Sequence, residues 1–142
     1  MNYKIKKISG DASFRVFFRL KKGKNSSIIV RADKEKHKNL ISYLVINNVL
    51  IKNGICAPKL INDYYGHNMI EISDLGDKSF HDFIIKKKDK FKNYKDLIKL
   101  ILKVQKIKIK KKYKFGKYEI KLKSYSLRNL HKESDLFFDW YL

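Results

Sequence analysis

The chain has 142 residues, 44% of them hydrophobic, which suits one globular domain with a modest core and excludes an intrinsically disordered chain. No apolar run reaches the ~20 residues of a membrane span, no apolar stretch follows the basic start Met1–Lys7 to make a secretion signal, and the single Cys56 excludes an internal disulfide framework and a cysteine metal cluster. Net charge is +20, with 34 Lys+Arg against 14 Asp+Glu. A cytoplasmic protein is expected, with no membrane partner. Counterion release on a nucleic acid would use that charge. Yet the lysines are spread along the chain beside many Ile, Asn, Tyr and Phe, all residues of A/T-rich codons, and Arg is scarce where base readers favour its planar fork. Coding bias is the preferred source of the charge, and a nucleic-acid partner is the lesser reading.

Tyr3–Ile8 reads as a first strand, with Tyr3 and Ile5 on one face. Ser9–Arg15 is a short polar loop centred on Gly10. Small residues let main-chain N–H groups approach an anion, so the loop is either a phosphate cradle or an ordinary hairpin connection. Ser13–Leu20 alternates Phe14, Val16, Phe18 and Leu20 against Arg15, Phe17 and Arg19, the pattern of a strand with one buried face. A turn at Lys21–Asn25 leads to a β-branched third strand, Ser26–Ala32. Lys34–Lys52 carries Leu40, Tyr43, Leu44, Asn47 and Ile51 on one helical stripe, and Asn53-Gly54 stops it. Cys56 reads as a small core filler. Lys59–Tyr65 and Asn68–Ser73 are the fourth and fifth strands. After Gly76 only helices are expected: Ser79–Lys88 with Ser79 as N-cap, Asn93–Ile107, and Ser124–Leu142 with Phe137, Phe138 and Tyr141 on an exposed apolar face. Lys108–Lys123 is basic and poorly patterned. Its Tyr113–Tyr118 stretch reads equally as a base-stacking segment or a solvated linker.

The order β-β-β-α-β-β followed by helices predicts an α+β fold. It matches a protein-kinase-like N-lobe: a five-stranded antiparallel sheet with one helix (1–73), a hinge (74–78) and the first helices of an incomplete helical lobe (79–142). Gly10-Asp11-Ala12-Ser13-Phe14-Arg15, with Phe18-Arg19, resembles the opening of the aminoglycoside phosphotransferase-like kinases. The closest subgroup is the bacterial amino-sugar kinases that phosphorylate N-acetylmuramate and N-acetylglucosamine at the anomeric position. Ser73-Asp74-Leu75-Gly76-Asp77 resembles that subgroup's Glu-Asp-Leu-Gly-Asp hinge, and Glu133–Leu142 its Glu-x-x-Leu-Phe-x-x-Trp-Tyr helix. The three blocks keep the family's order and span nearly the whole chain.

The resemblance implies an ATP-dependent phosphotransferase acting on a sugar-like hydroxyl, with Mg²⁺ in the complete enzyme. It places the backbone of Gly10, Asp11, Ala12 and Ser13 over the ATP phosphates, and main-chain groups near Ile72, Ser73 and Asp74 at the adenine edge. Arg15 points at phosphate or at solvent. Arg31 stands where typical kinases carry the strand-three Lys, and it reads either as a substitute or as a surface residue at a strand end. Val16 replaces a second Arg and Ser73 replaces the hinge Glu. The family's His-x-Asp-x-x-x-x-Asn loop and metal-binding Asp follow the Trp-Tyr-Leu helix, and neither occurs in these residues. Asp74-Leu75-Gly76 mimics a kinase metal motif but precedes any catalytic loop. The expectation is therefore a nucleotide-binding part that does not transfer phosphate alone, with no catalytic or metal residues of its own. A nucleic-acid-binding protein and a non-catalytic, nucleotide-binding pseudokinase are the alternatives.

Overall fold

A computed structural model describes residues 3–8, 15–33, 37–122 and 126–141, apart from the side chains of His37, Phe137 and Tyr141. Gly10–Ser13, the expected phosphate loop, lie outside the described residues. The fold is α+β. Strands β1 (Tyr3–Ile8), β2 (Val16–Lys22), β3 (Asn25–Arg31), β4 (Leu60–Tyr64) and β5 (Met69–Ser73) form one antiparallel sheet in the order β1-β2-β3-β5-β4. Gly23 opens the two-residue β2–β3 turn with φ +59°, a conformation that suits a residue without Cβ.

Register decides the faces. Phe17 and Arg19 pair with Val30 and Ile28, which pair in turn with Ile70 and Ile72. Those four aliphatic side chains are buried. Helix α1 (His37–Lys52) contacts β5 and buries Leu40, Ile41, Leu44 and Val45, so it covers this face. The other face carries Val16, Phe18, Leu20, Ser27, Ile29, Arg31, Met69 and Glu71. The expectation of a single buried face on β2 is therefore corrected: Val16 to Leu20 are all half-buried, and it is the Phe17–Arg19 side that faces α1. Alternation shows that two faces exist, but only the neighbouring strands choose between them.

Asn47, on the helix stripe, is buried and donates its Nδ2 to the Pro58 carbonyl at 3.1 Å, which satisfies a polar group inside the core. Helix α1 ends in a Schellman motif. Gly54 has φ +67°, its N–H reaches the Ile51 carbonyl at 2.9 Å, and the Ile55 N–H reaches Leu50 at 3.0 Å. The extended chain that follows buries Ile55 and Ala57 and exposes Cys56 between them, which corrects the reading of Cys56 as a core filler.

Helix α2 (Phe80–Ile84) starts as expected on Ser79, whose hydroxyl accepts from the Asp82 N–H at 3.0 Å. Helix α3 (Phe91–Gln105) begins two residues before its expected start, because the Asp89 carboxylate accepts from the Phe91 N–H at 2.9 Å. Phe80 packs edge-on to Tyr94 with ring centroids 5.9 Å apart. The expectation of helices only after Gly76 is overturned. Strands β6 (Lys112–Phe115) and β7 (Tyr118–Lys121) form a hairpin turned by Gly116 at φ +55°. Register puts Tyr113, Phe115, Tyr118 and the buried Ile120 on one side, and Lys112, Lys114, Glu119 and Lys121 on the other. Lysines at alternate positions conceal an apolar alternation of period two. Helix α4 (Leu127–Tyr141) closes the chain. The chain divides into two compact units, 1–109 and 110–142.

Candidate functional site

Chain leaving β5 is held by one arginine. Arg19, on the α1-covered face of β2, donates Nε to Asp74 Oδ2 at 2.6 Å, Nη2 to Asp74 Oδ1 at 3.0 Å, and Nη1 to Asp77 Oδ2 at 2.5 Å. This is a bidentate fork on one carboxylate with the remaining arm on a second. The Asp74 side chain is only 6% exposed and that of Arg19 13%, whereas Asp77 is 75% exposed. Asp74 Oδ1 also accepts from the Gly76 N–H at 2.9 Å, and Gly76 itself has φ +87°. The guanidinium's hydrogen bonds hold both carboxyls below their ordinary range, and those same bonds raise the guanidinium further. Lys6 lies opposite Arg19 on β1 and adds attraction at Asp77.

The other expected site residues lie as follows. The Ser73 N–H donates to the Lys59 carbonyl at 2.9 Å, and its hydroxyl accepts from the Lys59 N–H at 2.9 Å. Both groups are thus spent on closing the β4–β5 edge. Among the described residues, no backbone hydrogen bond outside the strands reaches Asp74 or Leu75. Arg15 is half-buried with its guanidinium 5.5 Å from the Tyr43 ring centroid, a cation–π contact with α1. Arg31 is exposed, bonds Asp33 Oδ1 at 2.7 Å, and projects from the face opposite Val30. Arg19, Asp74 and Asp77 therefore converge, whereas Arg15 and Arg31 point to different surroundings. Among the described residues no three His, Cys, Asp or Glu side chains gather, and no helix is long and apolar enough to cross a membrane.

Two features went unread in the sequence. Arg19 alternates with Phe17 and falls on the core-facing side, a position that demands an acidic partner. Glu71 is the one charge in Met-Ile-Glu-Ile-Ser, and it is buried. It accepts from Ser27 Oγ at 2.5 Å, Asn62 Nδ2 at 2.8 Å and Tyr64 OH at 3.4 Å, and the Ser27 bond chiefly lowers its pKa. This network sits on the face away from α1, at the floor of an open cleft of about 680 Å³ rimmed by Tyr3, Lys22 and Lys24. Comparison with protein-family models, curated proteins and solved structures finds no match.

Proposed function

We propose that this chain is the nucleotide-holding part of an ATP-dependent phosphotransferase that acts on a small sugar-like hydroxyl compound. One observation carries the reading. A five-stranded antiparallel sheet in the order β1-β2-β3-β5-β4 has its single helix between β3 and β4, and β5 runs into a fastened segment ahead of helices. That is the layout in which a kinase-type small lobe presents a hinge to adenine and a loop between its first strands to phosphates. The three blocks that resemble the amino-sugar kinases lie, in sequence, between β1 and β2, after β5 and from Glu133 onward. In this reading the peptide groups of Asp74 and Leu75 meet the adenine edge, and the Gly10–Ser13 backbone covers the phosphates. The base and the Mg²⁺ ligands come from residues other than these. Mg²⁺ would supply charge neutralisation on the phosphates.

Titration of the purified chain with ATP, with and without Mg²⁺, tests the reading. Saturable binding that GTP competes for poorly is expected, with no phosphorylation of N-acetylmuramate or N-acetylglucosamine. Failure to bind any nucleotide overturns the reading, and turnover by this chain alone overturns the division of labour. A second reading has one observation in its favour: the exposed lysine side of the β6–β7 hairpin, Lys112, Lys114 and Lys121, suits a phosphate backbone. Single-stranded RNA binding that falls more on replacing Lys112, Lys114 and Lys121 with Ala than on replacing three lysines elsewhere would favour it, because scattered charge alone would make the two sets equivalent.

A further inference from the structure

We infer that Arg19 is the positioning residue of the hinge, fastening the segment after β5 to β2 so that the Asp74 and Leu75 peptide groups stand preformed for a purine. The inference rests on the nucleotide reading above and extends it to a residue with no ligand contact of its own. The geometry is specific. One guanidinium spends its Nε and Nη2 on Asp74 and its Nη1 on Asp77, and so spans four residues of irregular chain from a single site on a strand. The Gly76 N–H closes back on the same Asp74 carboxylate, so the left-handed turn at Gly76 and the ion pair hold each other. A chain leaving a sheet otherwise has only its last ladder bond to fix it. Here Ser73 is paired with Ser27 of β3 and bonds the Lys59 carbonyl on its other side. Beyond Ser73 the segment is held from across β3 by Arg19 of β2.

Lys cannot replace Arg here. A compact ammonium meets one carboxylate well, whereas this site needs a planar fork and a third arm. Holding a binding segment in its bound shape before the ligand arrives removes an ordering cost from affinity.

The test combines native-state hydrogen exchange with ATP titration on Arg19→Met, Arg19→Lys and Asp77→Asn. Asp77→Asn removes one arm at an exposed position and leaves no buried charge stranded, so it keeps the test sharp even if Arg19→Met folds poorly. Expected is at least tenfold faster exchange at the Gly76 amide, whose N–H the Asp74 carboxylate holds, in Arg19→Met, with the Val30 and Ile70 amides unchanged. A smaller local rise is expected in Asp77→Asn, and partial recovery in Arg19→Lys. ATP affinity should fall in the same order, by tenfold or more in Arg19→Met. Equal acceleration across the sheet, or no change at the Gly76 amide, overturns the clamp. Unchanged ATP affinity with a loosened segment overturns its positioning role. A wild-type chain that binds no ATP overturns the nucleotide reading and the ligand half of the inference, and the exchange data then judge the clamp alone.

Discussion

Glu71 shows how much a single buried carboxylate can cost or contribute. Three neutral donors converge on it, so it stays ionised inside the sheet at neutral pH. Replacing it with Gln turns one acceptor into a donor facing Ser27 or Asn62 and leaves a buried hydroxyl or amide poorly matched. Glu71→Gln should therefore cost about 1–3 kcal/mol at pH 7, read from urea unfolding. The sign of its pH dependence follows from a folded-state pKa below the ordinary 4.5. The ionised network stabilises above that value, and its contribution is lost as pH falls through the folded pKa. The gap between wild type and Glu71→Gln should narrow as pH falls below 4.5, and a gap that stays constant from pH 7 into that acid range would show that ionisation is not what the network stabilises. At this scale the sequence was only partly legible. Ser79 as a cap and Gly54 as a stop were readable because each acts on chain within a few residues of itself. Arg19 and Glu71 were not, because their partners lie 55 and 44 positions away.

Each helix depends on what its faces meet. Helix α1 inserts Leu40, Ile41, Leu44 and Val45 into the core, so Leu44→Ala should cost about 2–5 kcal/mol. At its end, a Cβ on Gly54 would sit in left-handed backbone and 3.1 Å from the Lys103 ammonium, itself bonded to the Gly54 carbonyl at 3.0 Å. Gly54→Ala is expected to lower stability by about 1–2 kcal/mol, measured by thermal melting. Asn53→Ala, one residue earlier, removes the amide's bond to Val49 at 2.8 Å and nothing from the αL turn, so it should cost less. Helices α3 and α4 differ from α1. Ile98, Ile101 and Val104 on the former and Leu130, Phe138 and Trp140 on the latter are exposed, Trp140 by 81%. Of the apolar face expected on the last helix, Phe138 is exposed, and the Phe137 and Tyr141 side chains lie outside the described residues. Folded chain should bind a hydrophobic dye at native pH, with Trp140 fluorescence quenched readily by acrylamide. A shielded Trp140 and no dye binding would contradict these faces.

At the level of the whole molecule, the chain is strongly cationic and its core is concentrated in one unit. Among the described residues, all the buried aliphatic side chains but Ile120 fall within residues 1–109. A chain ending at Ile109 should keep a cooperative unfolding transition, whereas 110–142, a hairpin and one helix, is too small to fold alone; circular dichroism of the two pieces checks this. Asp74, like Glu71, has a depressed pKa, below the ordinary 3.8. Overall stability should thus be level near neutral pH and fall as pH drops past the ordinary values of 4.5 and 3.8, where the unfolded chain binds protons that these folded carboxylates resist. The rising positive charge adds self-repulsion there, so added salt should restore part of the loss.

Through α3, the order of the elements, their turns and most of their ends were readable from the residues alone. Such features arise from backbone preferences and side-chain periods that act over a few positions. Even the β6–β7 hairpin was latent in the Tyr113, Phe115, Tyr118 and Ile120 pattern around Gly116, hidden by lysines at the alternate sites. The choice of buried face on β2, the partner of Arg19 and the pairing of Glu71 with Ser27 were decided only when the sheet took the order β1-β2-β3-β5-β4. That order sets β3 against β5 and leaves β2 one strand away, within reach of the Arg19 side chain. Contacts between residues tens of positions apart depend on which strands become neighbours, and no local preference encodes that choice.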